Sequence, residues 1–382
     1  MKKILFIIPT FKTGGFCTSL LSFLSSYDKN KYKVDILVLT HQGMKDELFR
    51  EYNVLPENIF LSSSSYNNQN EQPFLKKWVI ILIKVLKKLL VLINPEIEWK
   101  LFANNYKGYD TVVAFAEGAA TQFASYIPCK NKVAWVHCNI TYAIKGDANI
   151  KRNTMYYQQY NTIVCVADYI RKVFVDMFPS LSSKTKYIYN LSETDIIVAK
   201  SKEYIPVELE KDCFNIISLG KFSYVKQFSK IPSVAKFLKK KNLNFKWYVL
   251  GGVINQDEFD RFNSDVVTYG LQDNVFALGE KQNPYPYLLH SNLLVCTSES
   301  EACPMIFIEA KALHVPICTT NFGSACEFVQ NGINGEIAPI EEFGSVISNL
   351  IQDTSRYRTI RESMIYFRYD NNTLLEQIYS IL

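Results

Sequence analysis

The stretch 293–310, LLVCTSESEACPMIFIEA, contains an apolar strand, a polar loop and the start of a helix. The run Leu293–Cys296 is typical of a buried parallel strand, because both faces of such a strand are covered. Pro304 predicts the helix start, since proline at the first helical position sacrifices no hydrogen bond. The free N–H groups of residues 302–306 would then point toward an anion. Strand, loop and helix in this order predict one unit of an α/β fold.

Two carboxylates flank this predicted helix start. Glu301 lies in the loop before the helix, and Glu309 lies more than one turn inside it. A carboxylate accepts hydrogen bonds from two hydroxyls, so the pair could hold hydroxyls on either side of a diphosphate bound at the helix N-terminus. Two glutamates eight positions apart are common in proteins, so this spacing alone does not identify the ligand.

Short β-branched runs alternate with helical patterns along the whole chain, which indicates an α/β fold. Five strand candidates fall in each half, enough for two doubly wound parallel sheets. The candidates are Ile4–Ile8, Lys33–Leu39, Thr111–Phe115, Lys132–Val136 and Thr162–Val166, then Asn215–Leu219, Lys246–Leu250, Asn274–Ala277, Asn292–Cys296 and Val315–Cys318. A polar stretch between 190 and 211 interrupts the pattern. We therefore predict two Rossmann-like domains, 1–200 and 201–382, the second with C-terminal helices.

Composition and cysteine use exclude several classes of protein. Hydrophobic residues make up 48% and charged residues 21%, close to the globular average, which argues against a disordered chain. Nine cysteines without a C-x-x-C pair predict reduced, buried thiols, and the lack of clustered His and Cys argues against a metal site. The apolar stretch after Met1 is too short for a signal peptide and predicts a first strand. No apolar run is long enough to cross a membrane, so we expect a cytoplasmic protein.

Charge is divided unevenly between the two predicted domains. Residues 1–200 carry 25 basic and 16 acidic side chains, net +9, and residues 201–382 carry 17 and 21, net −4. This asymmetry predicts that the first domain meets an anionic surface or acceptor. Nucleic acid would also explain a basic half, but the basic residues are not interleaved with stacking aromatics in a recognisable module. We therefore expect no nucleic-acid partner.

The segment 74–93, FLKKWVIILIKVLKKLLVLI, has a basic and an apolar face. At about 100° per residue, five lysines share a sector roughly 120° wide. They are Lys76, Lys77, Lys84, Lys87 and Lys88. A wide apolar face with Trp78 and an all-lysine polar face predict a helix lying in the interface of an anionic membrane, so the protein would be peripheral on its inner face. The alternative is a core helix whose lysines point to water.

The stretch 299–310 resembles the donor-site motif of glycosyltransferase family 4, retaining enzymes of GT-B fold whose motif is usually Glu-Gly-Phe-Pro followed by a second Glu. Other stretches match that family in sequence and order, and the resemblance covers nearly the whole chain. They are Gly14-Gly15, Trp135-Val136-His137, 220–226, Leu250-Gly251-Gly252, 275–279, Asn283-Pro284-Tyr285, 322–327 and 331–335. The resemblance implies two Rossmann-like domains facing across a cleft, the first binding the acceptor and the second the nucleotide sugar.

Roles in catalysis follow from this resemblance residue by residue. It implies that Lys226 binds the donor diphosphate with help from Lys221. It also implies that Glu301 holds hydroxyls of the donor sugar and that Glu309 holds the ribose. His137 would lie beside the transferred sugar; as a residue after an apolar strand, it could instead be a core histidine.

The resemblance assigns further donor-binding positions, and the chain departs from the family pattern at some of them. The positions are Gly15, Gly251, Gly279, Cys303, Pro304, Met305 and Ile306. Lys221 replaces an arginine, which gives a point charge in place of a bidentate fork. Ala302-Cys303 replaces Gly-Phe, which could alter donor choice. Gln227 stands after the phosphate lysine, where glycine is frequent.

The resemblance implies sugar transfer with retention at the anomeric carbon, in surface polysaccharide biosynthesis. The resemblance implies a nucleotide-sugar donor, and we expect a UDP-sugar ahead of a GDP-sugar and a glycan or lipid-linked oligosaccharide as the acceptor. No cofactor and no metal ion are expected, because two lysines and helix amides can neutralise the departing diphosphate. The alternative is a catalytically silent homologue that assists an active glycosyltransferase; such a protein would be expected to lose Glu309 or the phosphate lysine.

Overall fold

The computed structural model describes residues 1–10, 15–39, 59–61 and 96–382. These residues form two compact units: the first comprises the described parts of 1–166, 170–191 and 372–382, and the second comprises 167–169 and 192–371. The predicted membrane-interface segment 74–93 lies outside the described residues. Each unit is built on its own parallel sheet.

The first unit contains a seven-stranded sheet. Its strands are β1 (Lys2–Ile8), β2 (Tyr32–Val38), β3 (Ile59–Leu61), β4 (Thr111–Ala114), β5 (Asn131–Val136), β6 (Thr162–Cys165) and β7 (Thr185–Tyr187). They lie in the order β3-β2-β1-β4-β5-β6-β7, and each neighbouring pair is parallel. All five strands predicted in this half are present. The two unpredicted strands, β3 and β7, have three residues each, and β7 is partly exposed, so it lacks the continuous apolar run of a strand covered on both faces.

Helices connect these strands and cover the sheet. Up to residue 191, the described helices are α1 (Gly15–Ser26), α2 (Glu96–Ala103), α3 (Ala119–Tyr126), α4 (Asp147–Tyr157) and α5 (Asp168–Met177). The core includes Phe6 of β1, whose ring centroid lies 5.2 Å from Phe23 of α1 and 5.6 Å from Phe115. Buried aromatic clusters of this kind contribute both apolar area and favourable ring contacts.

The second unit contains a six-stranded sheet. Its strands are β8 (Phe214–Leu219), β9 (Phe245–Leu250), β10 (Val275–Gly279), β11 (Leu293–Cys296), β12 (Ile317–Thr319) and β13 (Gly335–Ile337). Their order is β10-β9-β8-β11-β12-β13, again parallel throughout. The remaining helices are α6 (Thr194–Lys200), α7 (Ile231–Lys240), α8 (Gln256–Thr268), α9 (Tyr285–Leu289), α10 (Met305–Ala312), α11 (Ala325–Phe328), α12 (Phe343–Gln352), α13 (Thr354–Glu362) and α14 (Asn371–Tyr379). The five strands predicted in this half are all found; β13 was not predicted.

Trp247 of β9 is fully buried in the core of the second unit. Its indole Nε1 donates to Ser218 Oγ at 3.1 Å, and that hydroxyl donates to the Val295 carbonyl at 2.7 Å. The polar atoms of both side chains are therefore satisfied, which removes the cost of burying them. The core holds β8, β9 and β11 in fixed register, and the candidate site lies in the loops that follow two of them.

The end of the chain packs on the first unit. Tyr379 of α14 accepts a hydrogen bond from the Asp28 backbone N–H at 2.9 Å, and Asn131 Nδ2 donates to the Ile381 carbonyl at 2.9 Å. The predicted division assigned all of 201–382 to the second domain, whereas the structure groups 372–382 with the first unit and begins the second at 192. Spacing in the sequence reveals a helix but not the unit on which it docks.

Cysteine burial differs in part from the prediction. All nine cysteines are free thiols, as expected, but Cys138 and Cys326 are exposed. Cys129, Cys213 and Cys303 are half-buried, so the prediction of buried thiols holds for four of the nine cysteines. In the part of the chain that the structure describes, no helix is long and apolar enough to cross a membrane.

Both sheets have a topological switch point. In the first sheet the strand order reverses between β1 and β4, and in the second between β8 and β11. Loops at the carboxyl ends of two such strands turn away in opposite directions and leave a crevice, which is where ligands bind in open α/β sheets. The switch points therefore identify two loop pairs in which to look for a site.

Candidate functional site

At the switch point of the second sheet, the structure brings together most of the predicted donor-site residues. The loop after β8 carries Lys221 and Lys226, and the loop after β11 carries Glu301. Helix α10 begins directly after the second loop and carries Glu309. Residues far apart in the sequence thus converge because β8 and β11 are neighbours in the sheet.

Lys226 and Glu301 form an ion pair at the centre of this site. The Lys226 ammonium nitrogen Nζ donates to Glu301 Oε1 at 2.5 Å, and the two side chains are 26% and 17% exposed. Burial opposes the charge on Lys226, but the carboxylate of Glu301 outweighs it, so the pKa of Lys226 is raised above its ordinary value. Lys226 is therefore a fixed positive charge at neutral pH. The sequence placed both residues in one site but did not predict that they would bind each other.

Hydrogen bonds lock the two loops together. Thr297 Oγ1 donates to the Lys226 carbonyl at 2.6 Å, and the Glu299 N–H donates to the Val225 carbonyl at 2.8 Å. On the far side, Ser324 Oγ donates to the Glu301 carbonyl at 2.8 Å. Backbone held from both sides gives the ionised side chains a defined position, as pre-organised sites require.

Ser298 is a site residue that the sequence analysis missed. Its hydroxyl donates to Glu301 Oε1 at 2.7 Å and accepts from the Cys296 thiol at 3.3 Å, and its side chain is buried. Its carbonyl accepts a hydrogen bond from Thr320 Oγ1. A serine two residues beyond a buried strand was the available signal, since polar side chains at that edge point into the crevice.

Gln227 adopts the left-handed conformation, with φ +52° and ψ +37°. This explains why glycine would suit the position: a Cβ carries a cost there that glycine does not. The Gln227 side chain Nε2 donates to Glu299 Oε2 at 3.4 Å. The departure from the family pattern therefore has a conformational cost and a weak compensating contact.

Helix α10 starts one residue later than predicted. Pro304 has φ −71° and ψ +96°, so it caps the helix from outside and Met305 is the first helical residue. Pro304 and Met305 are buried, whereas Cys303 and Ile306 are half-buried. The first turn of any α-helix leaves backbone N–H groups without intrahelical acceptors, so this end of α10 remains suited to an anion.

Glu309 lies in the second turn of α10, as predicted. Burial raises the pKa of its carboxyl group to about 7. A carboxyl group with such a pKa is poised between an acceptor-only and a donor-acceptor form near neutral pH. Glu309 therefore lies one turn along the same helix whose N-terminus provides the free N–H groups.

Two of the glycines assigned to donor binding have different surroundings. A Cβ on Gly251 would lie 1.7 Å from the Gly220 carbonyl oxygen, and its φ is +148°. Gly251 is thus required by the close crossing of the loops after β8 and β9, whatever binds there. Gly279, with φ +71°, has open space where a Cβ would lie. Open space at the carboxyl end of β10 is compatible with the donor-binding position that the resemblance implies for Gly279.

In the first unit, His137 lies directly after β5 and close to the switch point. Its backbone N–H donates to Glu117 Oε1 at 2.8 Å, and the same oxygen accepts the Cys138 N–H at 2.5 Å. Burial lowers the pKa of His137 to about 4, with Glu117 acting weakly in the opposite sense, so the imidazole is neutral at pH 7. Its Nε2 atom is buried without a hydrogen-bond partner among the described residues.

Gly15 is the first residue of α1, follows the carboxyl end of β1 and is exposed, with open space where a Cβ would lie. It therefore belongs to the switch point of the first sheet. The first unit carries Gly15 and His137, and the second carries every other residue assigned to the site. Within the described ranges, no group of three or more His, Cys, Asp or Glu side chains could hold a metal ion.

Comparison with known proteins gives three kinds of match. Residues 201–365 match the family model described as glycosyl transferases group 1. An uncharacterized glycosyltransferase of Methanocaldococcus jannaschii is 32% identical over 173 residues, which are 44% of this chain and 41% of that protein. The capsular polysaccharide biosynthesis glycosyltransferase CapM of Staphylococcus aureus is 29% identical over 156 residues, 40% of each chain. The matched residues thus span about two fifths of the length of each of these two curated relatives.

A solved structure matches over the whole chain. HepE of Anabaena in complex with UDP-glucose superposes with a TM-score of 0.75 at 18% identity, covering 100% of this chain and 99% of that one. A structural match at 18% sequence identity shows that the fold is shared and does not show a shared function. The prediction of a GT-B fold with two Rossmann-like domains is confirmed, and the roles of individual site residues stay predictions.

Proposed function

Since residues 201–365 match the family model of glycosyl transferases group 1, we propose that the chain is a retaining glycosyltransferase. It would move a sugar from a nucleotide sugar to a glycan or lipid-linked oligosaccharide. The observation that carries this proposal is the cluster of Lys226, Glu301 and the N-terminus of α10 at the switch point of the second sheet. A fixed cation and helix amides suit a diphosphate, and a carboxylate beside them suits sugar hydroxyls.

The chemical task of this site is to stabilise a departing diphosphate. As the bond between the anomeric carbon and the phosphate oxygen breaks, negative charge grows on that oxygen. Lys226, Lys221 and the first N–H groups of α10 would neutralise it, a form of electrostatic stabilisation in which pre-organised groups need little rearrangement. An acceptor hydroxyl would attack from the face that the diphosphate leaves, so the configuration is retained, and its proton would pass to the departing phosphate oxygen. We propose that these groups make a divalent cation unnecessary.

The donor and acceptor classes are also proposals. HepE was solved with UDP-glucose, and this supports a UDP-sugar ahead of a GDP-sugar. CapM is named for capsular polysaccharide biosynthesis, and this supports a surface polysaccharide as the product. A lipid-linked acceptor would place the enzyme on the inner face of the membrane, where the basic segment 74–93 would hold it at anionic lipid.

Thermal unfolding in the presence of nucleotide sugars tests the donor. Each UDP- and GDP-sugar is added at a series of concentrations, because a ligand at about 100 times its Kd should stabilise the protein by roughly 2.7 kcal/mol. Lys226→Ala should lose this stabilisation. The matched control Lys230→Ala, which removes an exposed lysine four residues along, should keep it. No stabilisation by any nucleotide sugar would refute the proposal.

Transfer is tested with the donor that binds. Product is detected by mass spectrometry after incubation with glycan and lipid-linked oligosaccharide acceptors, and the anomeric configuration is read from the coupling constant of the anomeric proton. Formation of the anomer opposite to that of the donor would refute retention. Binding without transfer or donor hydrolysis would instead support the silent homologue that assists an active enzyme.

A further inference from the structure

The ion pair of Lys226 with Glu301 sets a carboxylate beside the charge that is assigned to the diphosphate. Glu301 Oε1 receives hydrogen bonds from two side chains, Lys226 Nζ at 2.5 Å and Ser298 Oγ at 2.7 Å. A diphosphate that approaches Lys226 therefore meets a negative charge within a few ångströms. Since like charges at such a distance repel strongly in a partly buried site, Glu301 acts against anion binding.

The two forms of nucleotide in a sugar transfer differ in how they meet this carboxylate. The nucleotide sugar carries hydroxyls that can donate to Glu301, and its terminal phosphate is esterified. The nucleoside diphosphate product has lost those hydroxyls and has gained an ionisable oxygen. Repulsion by Glu301 is therefore compensated in the donor complex and uncompensated in the product complex.

We propose that Glu301, held in place by Ser298, competes electrostatically for Lys226 and so weakens the binding of the diphosphate product relative to the nucleotide-sugar donor. This inference rests on the proposed function. It gives Glu301 a second task besides sugar recognition, which is to favour release of the product. It makes Ser298 a positioning residue, because its buried hydroxyl fixes the carboxylate oxygen that pairs with Lys226.

Contacts at the carboxyl end of β11 hold Ser298 in place. It lies two residues beyond β11, its hydroxyl accepts from the Cys296 thiol, and its carbonyl accepts from Thr320 Oγ1. The hydroxyl thus accepts from the Cys296 thiol and donates its own proton to Glu301 Oε1. Removing the hydroxyl would leave the carboxylate with one donor in place of two and a looser hold on Lys226.

The test measures the affinity of the intact chain for UDP, GDP and inorganic pyrophosphate by titration calorimetry at fixed ionic strength. Glu301→Gln should bind the nucleoside diphosphate roughly three- to tenfold more tightly than the natural protein, because a neutral amide no longer competes for Lys226. Ser298→Ala should shift the affinity in the same direction by about two- to threefold. Both gains should shrink at 1 M salt, where the screening length is about 3 Å.

Ser218→Ala is the matched control for loss of a buried serine hydroxyl. Ser218 lies within β8 and bonds to the Trp247 indole and the Val295 carbonyl, away from the ion pair. This variant should lower the melting temperature and leave diphosphate affinity unchanged. A merely structural role for Ser298 would likewise lower stability, but it would not make anion binding tighter.

The outcomes separate the two proposals. Tighter diphosphate binding by Glu301→Gln and Ser298→Ala supports the inference. Equal or weaker binding by Glu301→Gln, with the natural protein binding UDP or GDP, overturns the inference and leaves the proposed function standing. Absence of binding of all three probes by the natural protein overturns both.

Discussion

Replacing Glu309 by glutamine keeps the shape of a side chain in the second turn of α10 and removes its charge. Burial raises the pKa of this carboxyl group from the ordinary 4.5 to about 7. The folded protein therefore binds the proton more tightly than the unfolded chain does. In consequence, ionised Glu309 weakens the fold at neutral pH, and a neutral isostere should strengthen it.

The sign and the size follow from the two pKa values. The free energy of unfolding has its full value with respect to Glu309 below pH 4.5, where the carboxyl group is protonated in both states. It falls as the pH rises from 4.5 to 7 and stays at the lower value above pH 7. At about 1.36 kcal/mol per pKa unit, the full effect is about 3 kcal/mol. Glu309 is half-buried, so solvent reduces this value. We expect Glu309→Gln to be more stable by about 1–2 kcal/mol at pH 8 and equal to the natural protein near pH 4.5.

Urea unfolding, followed by tryptophan fluorescence at intervals between pH 4.5 and 8, measures this difference. Glu336→Gln is the control with the opposite sign. Glu336 of β13 is buried and pairs with Arg356 at 2.5 Å, so loss of its charge should lower the free energy of unfolding. A Glu309→Gln variant that is no more stable than the natural protein at pH 8 would refute the reasoning.

The same variant distinguishes the effect of Glu309 on the stability of the fold from its proposed role in nucleotide binding. If Glu309 holds the ribose, Glu309→Gln should weaken nucleotide affinity by about 1–3 kcal/mol, since one acceptor is lost. The variant would then be more stable without nucleotide and would gain less stability when nucleotide is added. Calorimetry with UDP and GDP measures the affinity, and unchanged values would remove Glu309 from the ribose site.

Further predictions concern Lys226, Gln227, metal ions and the basic segment. Lys226→Ala should cut turnover by about 10² or more, as loss of a charge-stabilising group does, and should also lower stability because it leaves Glu301 without its ion-pair partner; near-normal activity would remove Lys226 from the site. Gln227→Gly should stabilise the fold by about 0.5–1 kcal/mol in urea unfolding, because the residue has φ +52°, and Gln227→Asn should gain less; a loss in both variants would contradict the assigned strain. Activity should survive excess EDTA, and recovery of lost activity by added Mg²⁺ or Mn²⁺ would show that the leaving group needs a metal ion. The protein should sediment with anionic vesicles, release at high salt, and lose this binding when the five lysines of segment 74–93 become Gln; absence of binding in a folded sample would favour a core helix.

The sheets were predictable because their strands are buried on both faces. A run such as Ile4–Ile8 or Leu293–Cys296 is continuous in apolar residues, and a strand is found at all ten predicted positions, although Asp35 interrupts the run in β2 and β10 is only partly buried. The same reasoning misses β3, β7 and β13, which have three residues each, although it finds the equally short β12, whose residues are all buried. β7 is partly exposed and β13 contains Glu336, so neither shows a continuous apolar run, and pairing with a strand distant in sequence leaves no local pattern.

The end of the chain illustrates a second limit. The pattern predicted helices after residue 353, and α13 and α14 are found there. Docking of α14 depends on the Tyr379 hydroxyl meeting the Asp28 N–H, a contact across 351 positions. Periodicity describes the helix itself, whereas the surface that receives it is a property of the folded first unit.

Candidate site residues could be identified from the sequence where the charge of a single side chain suggests a ligand. Glu301 and Glu309 stand before and inside a helix start, so their positions suggested hydroxyls beside a diphosphate, whereas the role of Lys226 came from the resemblance to glycosyltransferase family 4. Ser298 carries no charge, and its importance lies in one hydrogen bond of 2.7 Å to a carboxylate that also binds Lys226. The pairing itself changes what each charge can do, because a lysine held by a carboxylate attracts an anion less than a free one. If Lys226 and Glu301 are treated as separate charges, the affinity of the site for a diphosphate is therefore overestimated. The Glu301→Gln titration measures this difference.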